Sequence, residues 1–234
     1  MKKYLFILFL LFSLYSAISA QVIITYHVGY GSYKMKSLKE FQQFVLEDRA
    51  IPGQIVEQFP RYINHRLYIG IQQHPNYKIY IGYLTTGGRI SLSDYSGKWN
   101  FDMLVNGFQG GFHGELPFLK TNKVKFSGYL DLGVNFSKLK LKEYIKLFEE
   151  ESEQTERFTA IGFNLQPGLS VCYKIFPMLE AGCYFAYEQS VSEPFNEAGS
   201  SKAQLGISQD NLTSPDWSGI RTGIQVSYSI GKHK

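Results

Sequence analysis

Eight stretches of this chain alternate apolar with polar or small residues at a period of two, and no long apolar run follows the first 20 residues. Period two is the repeat of a β-strand, whose successive side chains point to opposite faces. The stretches are 22–32, 62–73, 77–91, 99–116, 124–141, 158–174, 179–191 and 217–230. The fifth is the cleanest: Val124, Phe126, Leu130, Leu132, Val134 and Phe136 oppose Lys125, Ser127, Tyr129, Asp131, Gly133 and Asn135. In the fourth, Trp99, Phe101, Met103 and Val105 share one parity, and Phe108, Phe112 and Leu116 share the other. That switch predicts a β-bulge near Leu104–Gly107. With 17 Tyr, 18 Phe and 22 Gly against 19% charged residues, composition also favours strands over helices.

Residues 1–20 read as a secretory signal peptide. Lys2 and Lys3 form a basic start, Tyr4 to Leu14 an apolar stretch, and Ser16, Ala17, Ser19 and Ala20 a cleavage region. The apolar stretch is shorter than the roughly 20 residues of a spanning helix. The remainder, 21–234, reads as one domain, and it can enter a membrane only as a β-barrel. A formal charge of +4 is too weak to argue for nucleic acid. Two cysteines build neither a disulfide scaffold nor a zinc ribbon. Cys172 and Cys183 fall on opposite faces of adjacent strands, so both are expected as free thiols. No cofactor is expected.

The connections alternate in length. They are short at 74–76, 117–123 and 175–177, and long at 33–61, 142–157 and 192–216. Two long ones carry helical spacing, at 37–49 and at 141–150, the first with Ser37 and Glu40 as a capping box. Short turns at one end and longer loops at the other, with an even strand count, mark an all-β, eight-stranded, antiparallel up-and-down transmembrane barrel. In that frame the turns and both termini are periplasmic and the longer loops extracellular. A soluble barrel would alternate in the same way with the faces exchanged. Here one face is rich in Gly, Ser, Asn and Gln, which suits a narrow lumen. The other is Ile, Leu, Val, Phe and Tyr, with aromatics near both ends, such as Phe126 and Phe136. Aromatic girdles around an aliphatic band match a lipid-facing exterior.

The leader followed by Gln21-Val-Ile-Ile-Thr-Tyr, the eight-strand meander and the final Gly219-Ile-Arg-Thr-Gly-Ile-Gln-Val-Ser-Tyr-Ser-Ile together resemble the small outer-membrane β-barrel proteins of Gram-negative bacteria, of the Bacteroidota type. The resemblance implies outer-membrane localisation and insertion by the barrel-assembly machinery. Arg221-x-Gly223-x-x-Val226-x-Tyr228 is similar to the terminal signal which that machinery reads. Relatives often end on an aromatic residue, whereas Gly231-Lys-His-Lys follows Ile230 here.

The inward parity carries Arg66, Lys78, Lys125, Lys174 and Arg221 against Glu115, Asp131, Glu180 and Glu188. Such near balance is expected of a closed ion-pair network, not of a pore lined by one sign. Counting along the strands places Glu188 beside Arg221, gathers Lys78, Glu115 and Lys125, and brings Lys174 to Glu180. The expected function is non-catalytic: a structural or surface-binding protein acting through its extracellular loops. The alternatives are passage of a small hydrophobic molecule through a lateral opening, and a lipid-modifying enzyme using His113 with Glu115, or His27. The run Ser137–Lys142 is positioned to meet lipopolysaccharide, and outer-membrane lipid is the expected surrounding partner.

Overall fold

A computed structural model describes residues 22–48, 53–71, 77–93, 95, 97–198, 203–208 and 211–230. Residues 1–20, expected as a signal peptide, the turn expected at 74–76 and the terminal Gly231–Lys234 lie outside the described residues. Among the described residues twelve strands and one helix follow in order: β1 (Val22–Gly31), α1 (Lys36–Asp48), β2 (Gln54–Gln58), β3 (Tyr62–Ile71), β4 (Tyr77–Ser93), β5 (Gly97–Lys120), β6 (Val124–Leu147), β7 (Glu150–Phe176), β8 (Leu179–Ser192), β9 (Asn196–Glu197), β10 (Gly206–Ser208), β11 (Asn211–Leu212) and β12 (Gly219–Ile230). Eight of these close a ring of antiparallel neighbours, β1-β3-β4-β5-β6-β7-β8-β12, with β12 returning to β1 from Val22↔Ile230 to Gly31↔Arg221. The protein is therefore an eight-stranded antiparallel barrel. Closure leaves no unpaired barrel edge.

Around the lower part of the ring, next to the short turns, side chains obey one rule. Ile79, Ile81, Phe108, Phe112, Leu132, Phe136, Phe163 and Ile224 are exposed on the outside. Arg66, Gln109, His113, Asp131, Gln166 and Glu188 are buried inside. Inward tyrosines fill the lumen by reaching across it. The Tyr129 ring lies on Gly168 and the Tyr80 hydroxyl on Gly133, so close that a Cβ at either glycine would collide.

Toward the other end the rule reverses. On β6 the outside changes from Phe136 to Lys138 while the inside changes from Ser137 to Leu139. On β5 the inside changes from Gln109 to Val105 and the outside from Phe108 to Asn106. The inward residues above this level, among them Trp99, Phe101, Met103, Val105, Leu139, Leu141 and Phe158, form an apolar core with Leu38 and Phe41 of α1, with Phe59 and with Trp217. The parity switch of 99–116 therefore marks a change of surroundings. Register between β4 and β5 is unbroken from Tyr77↔Gly114 to Ser93↔Lys98, so no bulge stands at Leu104–Gly107. The irregularity of β5 lies instead against β6 at Pro117–Leu119.

The helix expected at 141–150 is strand. Leu141, Tyr144 and Ile145 belong to β6, and a hairpin tip at Phe148, in the left-handed region with φ 56°, leads into β7. Thus 142–157 is a hairpin, not a loop. Its strand pattern wins because Leu139 and Leu141 bury together on one face while Lys142–Glu153 pairs across the strands at 3.0 Å on the other. The helix expected at 37–49 is present as α1. It buries Leu38 and Phe41, each worth about 1.5–3 kcal/mol of apolar transfer. Ser37 and Glu40 do not form the capping box. Ser37 Oγ donates to Ser214 O (2.8 Å) and accepts from Ser214 N (3.0 Å), tying α1 to the segment before β12, and Glu40 lies 3.7 Å from Lys36.

Candidate functional site

The lumen holds two connected clusters of charge. In the upper one, Arg66 on β3 donates to Asp131 Oδ2 (3.0 Å) across the barrel, to Glu188 Oε2 (2.8 Å) and to Gln109 Oε1 (2.6 Å). Glu188 also accepts from Arg221 (3.2 Å from Nε) and from Gln109 Nε2 (2.5 Å). Arg221 is held further by Ser32 O (2.6 Å) and Trp217 O (2.5 Å), and its guanidinium lies over the Tyr33 ring at 4.7 Å. Asp131 is completed by Tyr68 OH (3.0 Å) and His113 Nδ1 (2.6 Å). All four charged groups are buried, with Asp131 and Glu188 at 0% exposure. Charges so far from water persist only when every donor and acceptor is occupied.

The lower cluster opens toward the turns. Glu115 accepts Lys125 at 2.9 Å and Lys78 at 3.5 Å, and Lys125 reaches Glu180 at 3.7 Å. His113 Nε2, 3.9 Å from Glu115, links the two clusters. Lys174 departs from expectation. It is the cross-strand neighbour of Glu180, but it is exposed and enters no ion pair among the described residues, and Glu180 turns to Lys125 instead. At an open mouth water screens such a pair, so the register does not dictate the contact. Lys78, Lys125, Lys174, Glu115 and Glu180 all border a cavity of about 520 Å³ there.

Three contributors were not singled out from sequence. Gln109 bridges Arg66 and Glu188, and Tyr68 serves Asp131. Trp217 floors the apolar core, its indole N–H donating to Ser137 Oγ (2.9 Å) and its ring lying on Gly107. Inward parity marks Gln109 and Tyr68, but only the width of the lumen decides what they reach. Of the two histidines considered for catalysis, His27 is stacked on Tyr184 (centroids 4.6 Å) and Tyr68 (4.4 Å). His113 is engaged by two carboxylates and packs on Tyr68 and Tyr129. Among the described residues no group of His, Cys, Asp and Glu is arranged to hold a metal. Cys172 is buried, Cys183 is exposed on the outer face, and neither forms a disulfide.

No protein-family model matches this chain, and neither does any curated protein. Among solved structures it is similar to Ail, the attachment invasion locus protein of Yersinia pestis, at 10% identity and a TM-score of 0.32, over 91% of this chain and 99% of that one. It is likewise similar to Neisserial surface protein A (NspA), at 12% identity and a TM-score of 0.34, over 90% of this chain and 96% of that one.

Proposed function

We propose that this protein is an outer-membrane barrel that holds a compact, apolar-cored cap outside the bilayer and acts, without catalysis, as a structural or surface-binding protein through that cap. The observation that carries the reading is the simultaneous reversal of polarity on both faces. Below it the outside is apolar and the lumen polar, as lipid and a closed hydrogen-bonded interior require. Above it the outside is polar and the inside apolar, as water requires. On β6 the apolar exterior runs from Phe126 to Phe136. Ten residues at about 3.4 Å each, at the usual tilt of about 40°, give a height of about 26 Å, against about 25 Å for the lipid-facing band of such barrels.

In this frame the turns and both ends of the described chain face the periplasm, and the β4–β5 and β6–β7 hairpins stand outside the cell. Insertion would be by the barrel-assembly machinery acting on β12, the strand that closes the ring. Paired arginines, carboxylates and tyrosines occupying the lumen speak for an anchor, in preference to an apolar path for a hydrophobic cargo. The engagement of His113 and His27 by carboxylates and rings speaks for structure in preference to lipid chemistry. The test is electrophoresis of the membrane fraction before and after boiling. A folded barrel is expected to migrate anomalously until heated, and a mature chain found in the soluble periplasmic fraction would overturn the reading.

A further inference from the structure

Above the level where polarity reverses, the β6–β7 hairpin sorts its charges by face. Successive strand residues alternate sides, and the register fixes which of them share one. From Lys138 to Arg157 every basic residue takes the outward parity: Lys138, Lys140, Lys142, Lys146 and Arg157. Glu153 and Glu151 join them there, paired with Lys142 and Lys146. The inward parity carries Leu139, Leu141, Glu143 and Ile145 on β6, and Phe158, Glu156 and Gln154 on β7. Two carboxylates thus point into a cap whose interior is otherwise apolar, and no cation of the hairpin shares their side. Helix α1 brings a third. Phe41, Val45 and Asp48 follow at i, i+4 and i+7, which is one stripe of a helix. The last turn of α1 holds Glu47 and Asp48 and no basic residue, so the negative end of the helix dipole adds to the carboxylates.

Between α1 and this hairpin lies a cavity of about 230 Å³. Its floor is apolar and buried, made by Phe41, Phe101, Leu141 and Leu205. Its mouth is acidic and exposed, with Asp48 and Glu156 on either side and Phe44 at the lip. Register sets Glu156 opposite Leu141, and Glu143 between Phe101 and Gln154. Glu143 is fixed by Trp99, whose indole N–H donates to its Oε1 at 2.8 Å. Asp48 and Glu156 enter no ion pair among the described residues. The lysine of α1 that is paired, Lys36, stands with Glu40 at the other end of the helix.

This order of polarity, apolar below and anionic above, selects its occupant. An anion is repelled. A neutral apolar molecule would strip water from the carboxylates and return no partner. A bare hydrated cation would leave the floor unfilled. One molecule meets both demands by setting an apolar body on the floor and an ammonium at the mouth. Phe41, Phe44 and Phe101 suit an aromatic body through ring contacts and attract a cation through their faces. The volume lies below the roughly 300–1,000 Å³ of drug-sized sites, which limits the body to about one ring on a short chain. We infer that the cap binds small arylalkylammonium ions, with the ring against Phe41, Phe101 and Leu141 and the cation among Asp48, Glu143 and Glu156. The inference rests on the surface-binding reading above and deepens it by giving the cap a class of ligand.

The full mature protein is incorporated into phosphatidylcholine nanodiscs, and heat-dependent migration first establishes that the barrel is folded. Ligand-observed fluorine NMR then follows para-fluorophenethylammonium at neutral pH, with empty nanodiscs as the blank. Saturable line broadening is expected, reversed by unlabelled phenethylammonium. Phenethyl alcohol, the neutral analogue, should displace the probe at least about fivefold more weakly, because it forgoes a charge-assisted contact. Methylammonium, which lacks the ring, should not displace it at the same concentration. D48N/E156Q changes two exposed side chains and should weaken binding about two- to fivefold for each carboxylate removed. Val45→Trp, which fills the cavity and leaves every carboxylate in place, should abolish saturable broadening. No saturable broadening by the folded barrel, equal displacement by the alcohol, full displacement by methylammonium, or binding unchanged in both variants would overturn the site and leave the membrane reading intact. A chain that does not enter nanodiscs would overturn both.

Discussion

Glu188 is the residue on which the upper charge cluster turns, and a double-mutant cycle with Arg221 tests that directly. Its carboxylate is fully buried and accepts from Arg66, Arg221 and Gln109. Glu188→Ala leaves both arginines short of an anion, and removing one partner of a buried pair costs about 3–5 kcal/mol. Arg221→Ala is expected to cost less, about 2–4 kcal/mol, because Glu188 keeps Arg66 and Gln109. Part of that loss is the Ser32 and Trp217 carbonyls left without their donor. In the double variant one cation, Arg66, again faces one anion, Asp131, at 3.0 Å. The losses should therefore fall short of their sum by about 2 kcal/mol, as coupled neighbours do. Because Arg66 shares Glu188, the double variant is not expected to be more stable than Arg221→Ala alone. Urea unfolding in phospholipid vesicles, read by tryptophan fluorescence, measures the cycle. Additivity within about 0.5 kcal/mol would show that Arg221 and Glu188 do not act on each other.

Three further outcomes follow from the geometry. Gly107→Ala would place a Cβ 2.8 Å from the Trp217 ring and should destabilise the junction of cap and barrel by about 1–3 kcal/mol, with a change in Trp217 emission. Chymotrypsin added to intact cells should cut at the exposed Phe148 tip and spare the likewise exposed Phe118 and Phe176 beside the turns; cleavage at those two would invert the orientation. At the same tip, Lys146 holds the Glu151 carboxyl below its usual 4.5. A lowered folded value means that the pair's contribution is present above the ordinary glutamate range and is lost as pH falls through the lowered value. Amide protection across 145–152, corrected for the intrinsic pH dependence of exchange, should fall on acidification in the native protein but not in Lys146→Met.

How much of this was readable in the sequence depended on whether local rules or lumen width decided the outcome. Strand number and ring order follow from eight period-two segments. The Arg221–Glu188 contact follows from parity and height, because β8 and β12 are neighbours and Gly219 pairs with Glu188. Glu115 between Lys78 and Lys125 follows in the same way, since β4, β5 and β6 are consecutive in the ring. The Arg66–Asp131 pair does not. β3 and β6 are not neighbours, and their side chains meet only because the lumen is narrow enough for both to reach its middle.

The errors in reading the upper half share one cause. The expectations give alternation a single meaning along each strand, apolar outward and polar inward. Under that rule Trp99 to Val105 required a bulge, and Leu141, Tyr144, Ile145 and Phe148 were free to be read at helical spacing. Both expectations fail because the strands of β4 to β7 outlast the band. Once outside it, the same period-two pattern must place its apolar residues inside, so a continuous strand needs its sequence parity inverted and its backbone left alone. On β5 the inversion falls between Val105 and Phe108, where Gly107 is shared by neither set and instead receives Trp217. On the membrane reading proposed above, an inversion of parity without a register shift marks the edge of the lipid-facing band along a strand. It also explains why Lys138, the first outward residue past Phe136 on β6, can be charged where Phe136 is apolar.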